Sequence, residues 1–241
     1  MIKYHAITDI GPTREQNEDA ILVTNNKYGD YLFLIADGMG GHNAGEVASN
    51  MVKEIVEKEF LALEENVDYR EFLERVINHA NNEVYKKSLL EIEYNNMGTT
   101  LSMMILSGDQ IYIGHVGDSR IYFITDKSIR LLTHDHTLVQ AMLDAKTITP
   151  EEAQKSRFKN VLLQALGTSK NVTLQTLSAK IPEKCRFILC SDGLTGPVSE
   201  HEINDIMCSN KPLEERVEML LKLANFKDGL DNVSIIGVER E

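Results

Sequence analysis

Aspartates at the ends of apolar strand-like runs are the residues of this sequence best suited to chemistry. Three such runs are followed by an aspartate, and two other runs are each preceded by an aspartate. In chain order they are Asp19, Asp37, Asp118, Asp192 and Asp231. Carboxylates held within a few Å of each other repel and do not stay ionised together without a cation. Oxygen ligands select a hard ion, Mg²⁺ or Mn²⁺, and such sites commonly hold two ions about 3.5–4 Å apart.

An aspartate followed by glycine is also a common turn dipeptide, so each pair taken singly has an ordinary structural explanation. We assign Asp30 and the pair Asp228-Gly229 to this class. Asp37-Gly38 differs because several strand-end aspartates occur in the same chain, and because glycine lets the backbone approach a ligand closely. The Gly38 carbonyl is therefore a further candidate metal ligand.

The elements that must position these residues are short strands with two long helices between them. Apolar and β-branched runs predict strands at about 3–8, 20–25, 31–36, 99–107, 110–116, 120–125, 172–179, 185–190 and 233–239. Helical periodicity predicts helices at about 44–60, 69–91, 136–144, 149–156, 199–208 and 213–225. Gly29-Asp30 and Gly108-Asp109 stand between paired runs as hairpin turns, which makes those neighbours antiparallel. We expect one α+β domain over residues 1–241, an antiparallel sandwich covered by helices.

Local signals refine the ends of some helices. Ser199 with Glu202 and Thr149 with Glu152 have the spacing of capping boxes, so each pair predicts a helix start. In the run of residues 133–136, Asp135 is expected to cap the next helix rather than to bind a metal.

Composition excludes several classes of function. The chain has 241 residues, 42% of them apolar, and a formal net charge of −12. A surface this acidic repels nucleic acid and anionic lipid, so neither is expected as a partner. The three cysteines have neither zinc-site nor disulfide spacing, and we expect buried thiols in a reducing compartment. The N-terminal residues have no long apolar segment, so a cytoplasmic protein is expected.

Eight motifs, taken together, resemble the metal-dependent type 2C protein phosphatases in their bacterial form, in that family's order and over nearly the whole chain. They are Arg14-Glu15-Gln16-Asn17-Glu18-Asp19, Asp37-Gly38-Met39-Gly40-Gly41-His42, Gly98-Thr99-Thr100, Val116-Gly117-Asp118-Ser119-Arg120, Leu132-Thr133-His134-Asp135-His136, Gln164-Ala165-Leu166-Gly167, Ser191-Asp192-Gly193-Leu194 and Asp231-Asn232-Val233-Ser234. The resemblance implies a four-layer αββα sandwich and hydrolysis of phosphoserine and phosphothreonine on proteins. It also implies a water activated by two Mn²⁺ or Mg²⁺ ions as the attacking group.

The resemblance further implies a role for each candidate residue. The two ions would be held by Asp37, the Gly38 carbonyl, Asp192 and Asp231, with Asp19 in the inner or water-mediated shell. Asp118 and Asp192 match the positions for a third, looser ion, and Arg14 matches the arginine that binds the substrate phosphate. The implied partners are a serine/threonine protein kinase and its substrates, and the implied state is a monomer.

The chain departs from the family pattern in two places. Met39 stands where eukaryotic members have a histidine that is a candidate general acid, and the nearest histidine, His42, is not assigned that role. The flap segment before Gln164 is altered near Lys146 and near Ser156-Arg157, so substrate preference does not carry over from relatives. Two alternatives remain open: a non-catalytic module that binds phosphorylated proteins, and a phosphatase dedicated to one phosphoserine switch protein.

Overall fold

A computed structural model describes residues 1–40, 44–126 and 128–241, so His42 lies outside the described residues. The described strands form two antiparallel sheets. The first sheet contains, in spatial order, β1 (Ile2–Asp9), β11 (Val233–Arg240), β10 (Cys185–Cys190), β7 (Arg120–Thr125) and β8 (Ser128–Leu131). The second contains β2 (Asp19–Asn25), β3 (Tyr31–Met39), β5 (Leu101–Ser107), β6 (Gln110–Val116) and β9 (Gln175–Lys180), with the short β4 (Gly98–Thr99) paired to the end of β3.

Helices cover both outer faces of the paired sheets. The helices are α1 (Ala44–Leu61), α2 (Tyr69–Leu90), α3 (Leu138–Asp144), α4 (Pro150–Gln154), α5 (Asp192–Thr195), α6 (Glu200–Met207) and α7 (Leu213–Lys227). The pair α1 and α2 packs on the second sheet, and α6 and α7 pack on the first. This arrangement confirms the expected α+β, four-layer αββα sandwich.

Strand β3 shows how the sequence specifies the layers, because alternate side chains point to opposite faces of a sheet. Phe33 and Ile35 lie in the core between the sheets, together with Phe187 of the first sheet. Leu32 and Leu34 lie in the core beneath α1 and α2. Both faces of β3 are therefore buried, which fixes the position of its C-terminal end, where Asp37 lies.

The hairpin and capping predictions are confirmed. Strands β5 and β6 are joined by Gly108 and Asp109, and Gly108 has a φ of 56°, in the left-handed region that favours glycine. The Ser199 hydroxyl accepts from the Glu202 amide, while the Glu202 carboxylate accepts from the Ser199 amide at 3.0 Å. The equivalent reciprocal bonds form at Thr149 and Glu152.

Other local predictions are wrong or incomplete. The N-cap of α3 is Thr137, whose hydroxyl accepts from the Gln140 amide at 3.1 Å, whereas Asp135 pairs with Arg120. An ion pair with a distant arginine displaces the local cap, because Arg120 offers several charge-assisted hydrogen bonds. Strand β8 and the short helix α5 were not predicted. Across the described ranges, the helices fall short of the length and apolarity that a bilayer crossing requires.

Candidate metal and phosphate site

The second sheet brings Asp19 and Asp37 together at one end. The first residue of β2, Asp19, is paired directly with Asp37 near the end of β3. The Asp37 backbone is fixed on its other side, because its amide donates to the Thr100 hydroxyl at 2.9 Å and its carbonyl accepts from the Thr100 amide at 2.8 Å. Two carboxylates separated by 18 positions in sequence thus become neighbours across a strand pair.

Glycine is required directly after Asp37. A Cβ at Gly38 would lie 2.2 Å from the Gly45 carbonyl oxygen and 2.6 Å from the Glu18 carbonyl oxygen. No side chain fits there, so the backbone of β3 lies directly against the start of α1. Gly38 does allow a close backbone approach, in this case by Gly45 and Glu18. Binding of a metal by the Gly38 carbonyl stays a prediction.

The first sheet brings Asp192 and Asp231 to the same end of the sandwich. Asp192 begins α5 just after β10, and Asp231 comes just before β11, the antiparallel neighbour of β10. A Cβ at Gly193 would lie 2.0 Å from the Asn232 carbonyl oxygen, so the two segments touch through their backbones. The Ser191 hydroxyl donates to the Asp19 carboxylate at 2.9 Å and thereby links the ends of the two sheets.

Asp118 joins this group from the loop after β6. It is 9% exposed, and Gly117 before it has a φ of 108° with no room for a side chain beside Thr100. The Ser119 hydroxyl is 2.7 Å from the Thr100 hydroxyl, so the loop is tied to Thr100, the residue that also fixes the Asp37 backbone. Burial first, and the Asp192 carboxylate second, raise the pKa of Asp118 to about 7.

The five carboxylates lie close enough to act on one another electrostatically. Burial first, and then the charges of Asp19, Asp192, Asp118 and Asp231, raise the pKa of Asp37 well above its ordinary value. Burial also raises the pKa of Asp19 to about 7, against hydrogen bonds from serines, and that of Asp192 to about 6. Asp37 and Asp192 keep some contact with solvent, as a site open to a substrate must, although protein surrounds their carboxyl groups.

This donor set fits a hard divalent cation. Oxygen-only ligands from several buried carboxylates are what Mg²⁺ and Mn²⁺ prefer, and a cation would relieve the repulsion that raises these pKa values. Within residues 1–40, 44–126 and 128–241, no three acidic, histidine or cysteine side chains already surround one point as ligands.

Arg14 lies at the rim of the cluster. Its guanidinium contacts Asp231, with Nη2 2.8 Å from Oδ1, and its Nε donates to the Leu230 carbonyl at 3.1 Å. The side chain is 45% exposed, so it can also reach a molecule that arrives from solvent. The structure thus places the Arg14 guanidinium next to the carboxylates, and its binding of the substrate phosphate stays a prediction.

Asn232 fixes the loop that carries Arg14. Its side-chain amide donates to the carbonyls of Ile10 at 2.8 Å and Gln16 at 2.9 Å, and its Oδ1 accepts from the Glu18 amide at 2.9 Å. This buried side chain therefore holds the segment of Arg14 and Asp19 against the segment of Asp231.

Three charged residues near the cluster were given no role in the sequence analysis. Glu18 is close to Arg14 and Asp231, and burial raises its pKa. Its position beside Asp19 was the signal that could have identified it. Lys159 and Arg120 place positive charge near Asp192 and oppose the rise of its pKa. Lys159 has no sequence signal, because it reaches the site through long-range packing, whereas Arg120 lies two positions after Asp118 in the same motif.

The cysteines take no part in this site. Cys185 and Cys190 are buried, and burial raises the pKa of their thiols to about 11 and about 12. A reactive cysteine needs a lowered thiol pKa, so neither residue is an activated nucleophile. The expectation of inert, buried thiols is confirmed for these two residues.

Comparisons with known proteins agree with this geometry. A sequence profile described as Protein phosphatase 2C matches residues 13–227. The chain is 38% identical to the serine/threonine phosphatase stp of Listeria monocytogenes over 237 residues, 97% of this chain and 94% of that protein. It superposes on the solved serine/threonine phosphatase Stp1 of Staphylococcus aureus with a TM-score of 0.95, at 32% identity, covering 100% of this chain and 96% of that one.

A further solved structure bears on the metal site. The catalytic domain of the serine/threonine protein phosphatase PstP, in complex with two manganese ions, superposes with a TM-score of 0.88 at 32% identity. The match covers 99% of this chain and 97% of that one. With the carboxylates of two sheets meeting beside an arginine, and with relatives matched along nearly their whole length, the chain belongs to the protein phosphatase 2C family, the metal-dependent protein serine/threonine phosphatases.

Proposed function

We propose that this protein removes phosphate from phosphoserine and phosphothreonine side chains of other proteins, with Mn²⁺ or Mg²⁺ as its cofactor. The observation that carries the proposal is the meeting of buried, mutually repelling carboxylates from both sheets beside the half-exposed Arg14. That arrangement suits a doubly charged phosphate monoester only when cations offset the carboxylates.

Each residue has a separate task in the proposed mechanism. Asp37, the Gly38 carbonyl, Asp192 and Asp231 would hold two ions, Asp19 would lie in their inner or water-mediated shell, and Asp118 with Asp192 would hold a third. Divalent ions in such a site lower the pKa of water and stabilise the charge that develops on phosphoryl oxygens. The Ser191 hydroxyl orients the Asp19 carboxylate through its hydrogen bond.

Arg14 would bind the phosphate oxygens. A guanidinium offers paired N–H donors that match a phosphate, and charge-assisted bonds of this kind are strong. Its contacts with Asp231 and Leu230 hold the side chain at the rim before substrate arrives, so little side-chain entropy is lost on binding.

Replacing Arg14 by alanine should lower kcat/KM for a phosphopeptide about 100-fold, because the phosphate then loses its contact with a guanidinium group. Arg75→Ala is the matched control, since Arg75 is exposed on α2 and pairs with Glu59 away from the site. Steady-state kinetics of both variants with saturating Mn²⁺ provide the measurement. An Arg14→Ala enzyme with an unchanged kcat/KM would exclude this role.

Catalysis itself is tested with the purified protein, Mn²⁺ and two substrates, a small aryl phosphate and a phosphothreonine peptide. We expect turnover of both. Binding of the peptide without release of phosphate would instead identify the non-catalytic binding module. To separate a general phosphatase from one dedicated to a single switch protein, a phosphorylated kinase domain and a phosphorylated switch protein are compared at equal concentration.

The proposal extends to the setting of the enzyme. It includes a monomeric enzyme with one catalytic domain over residues 1–241. The free thiols support a reducing, cytoplasmic location. The net charge of −12 makes nucleic acid an unfavourable partner, and a serine/threonine kinase of the same cell, with its substrates, is the proposed source of phosphoproteins.

A further inference from the structure

A groove of about 830 Å³ opens from the carboxylate cluster along the surface. Asp118 and Asp192 line one part of it, so it is continuous with the proposed catalytic site. Pockets for whole small ligands span about 300–1,000 Å³, so this volume exceeds what one phosphorylated side chain needs. The groove has room for residues of the polypeptide that carries the phosphate.

The floor of the groove is an ion pair that is already satisfied. The Arg120 guanidinium donates to Asp135 from Nε at 3.0 Å and from Nη2 at 2.6 Å, and its Nη1 donates to the Tyr122 hydroxyl at 3.0 Å. These contacts use both edges of the guanidinium. Arg120 and Asp135 together therefore present little net charge to a molecule in the groove.

Apolar side chains from two separate segments of the chain line the groove as its walls. One wall contains Val139 and Leu143 of α3 with Ala153 of α4, and the other contains Pro197 and Val198, between α5 and α6. Apolar walls beside a polar floor suit a side chain of mixed character, with a hydrocarbon stem and a charged tip.

Glu200 supplies an opposite charge for such a tip. It is exposed at the first turn of α6 and lines the same groove. The basic residue nearest the catalytic end, Lys159, already acts on Asp192.

We infer that this groove is the docking subsite for the phosphoprotein segment next to the phosphorylated residue, and that it selects a basic side chain close to that residue. The inference rests on the proposed function and names the substrate class of the same site. The aliphatic stem of an arginine or lysine would pack between the walls of α3, α4 and residues 197–198, with its charge near Glu200. A groove that continues from the catalytic carboxylates is where substrate chain must run.

The test uses phosphothreonine peptides that differ only in one residue, arginine or glutamate, placed in turn at each of the three positions on either side of the phosphothreonine. At one or more of these positions, wild-type protein should show a kcat/KM about tenfold higher for the arginine peptide. Glu200→Lys should bring that ratio to one or below, because the groove then repels the basic residue.

Glu214→Lys is the matched control. Glu214 is likewise an exposed glutamate in the first turn of a helix, α7, and it does not line the groove, so the same charge change should leave the peptide ratio intact. A second variant, Leu143→Trp, fills the groove and should lower kcat/KM for peptides about tenfold relative to a small aryl phosphate. Leu61→Trp, at an exposed position at the end of α1, is its control.

These experiments distinguish an error in the proposed phosphatase function from an error in the proposed role of the groove. No turnover of the aryl phosphate by wild-type protein would remove the function itself. Normal turnover with equal kcat/KM for arginine and glutamate peptides at every position would overturn the groove inference. A peptide ratio that Glu214→Lys changes as much as Glu200→Lys would also overturn it, because the preference would then come from net charge alone.

Discussion

Asp37→Asn is expected to reduce phosphate ester hydrolysis by at least about three orders of magnitude. Asp37 is the carboxylate on which burial and the charges of Asp19, Asp192, Asp118 and Asp231 all act. An amide at this position keeps the shape of the side chain but removes the charge that would draw cations into the site. The backbone bonds to Thr100 do not involve the carboxylate and stay in place.

Loss of activity in this variant should come without loss of folding. In the absence of metal, asparagine removes one member of a repelling group, so the Tm of the chelated variant should equal or exceed that of the chelated wild type. Asp109→Asn is the control, because Asp109 lies at an exposed hairpin and should tolerate the same change. A folded Asp37→Asn protein that retains a tenth of the wild-type kcat/KM would contradict the metal mechanism.

Removing the metal should abolish turnover and make stability depend on pH in a defined direction. The folded pKa values of Asp19 and Asp118 are about 7 and that of Asp192 is about 6, all raised by burial above the ordinary value for aspartate of about 4. For such groups the stabilising contribution is fully present below the unfolded pKa and is lost as pH rises through the folded pKa. The chelated protein should therefore lose stability between about pH 4 and pH 7.

Metal ions should reverse this trend, because ionised carboxylates bind them and protonated ones do not. Each pKa unit corresponds to about 1.4 kcal/mol, and about 1 kcal/mol moves the Tm of a chain of this size by about 2–4 °C. The Tm difference between Mn²⁺-loaded and chelated protein should therefore grow by several degrees from about pH 5 to pH 8. Taking that difference at each pH cancels titrations elsewhere, such as His115, whose pKa burial lowers to about 3 with an opposite effect on stability. A Tm difference that is flat over this range would show that the carboxylates do not bind the ions.

The groove would determine which phosphoproteins the proposed enzyme selects. Every substrate of such a site presents the same phosphate group to the same metal ions. Recognition of a particular phosphoprotein must therefore come from protein surfaces beside the metal site. Residues 137–160, which contribute one wall of the groove and Lys159, include the segment whose sequence departs from the family pattern. Lys146 there has a φ of 55°, a backbone conformation that glycine adopts without strain. Substrate preference should therefore be measured on this protein itself.

The sequence by itself determined the features that depend on a few neighbouring residues. The two-residue turn at Gly108 and the capping boxes at Ser199 and Thr149 form because their partners lie within about four positions. The unbroken apolar run of residues 31–36 likewise specifies that both faces of β3 are buried. Strand-end aspartates marked the candidate ligands, and the order of motifs marked the family.

Only the tertiary structure decided which of these residues meet. Asp135 has the local setting of a helix cap, yet it pairs with Arg120, because a bidentate ion pair from a neighbouring strand is a stronger partner than backbone amides nearby. Lys159 joins the carboxylates, and the groove joins α3 to residues 197–200, through packing of segments far apart in the chain. Contacts of this kind depend on how two whole sheets are stacked. No short stretch of residues encodes which distant segments that stacking brings together.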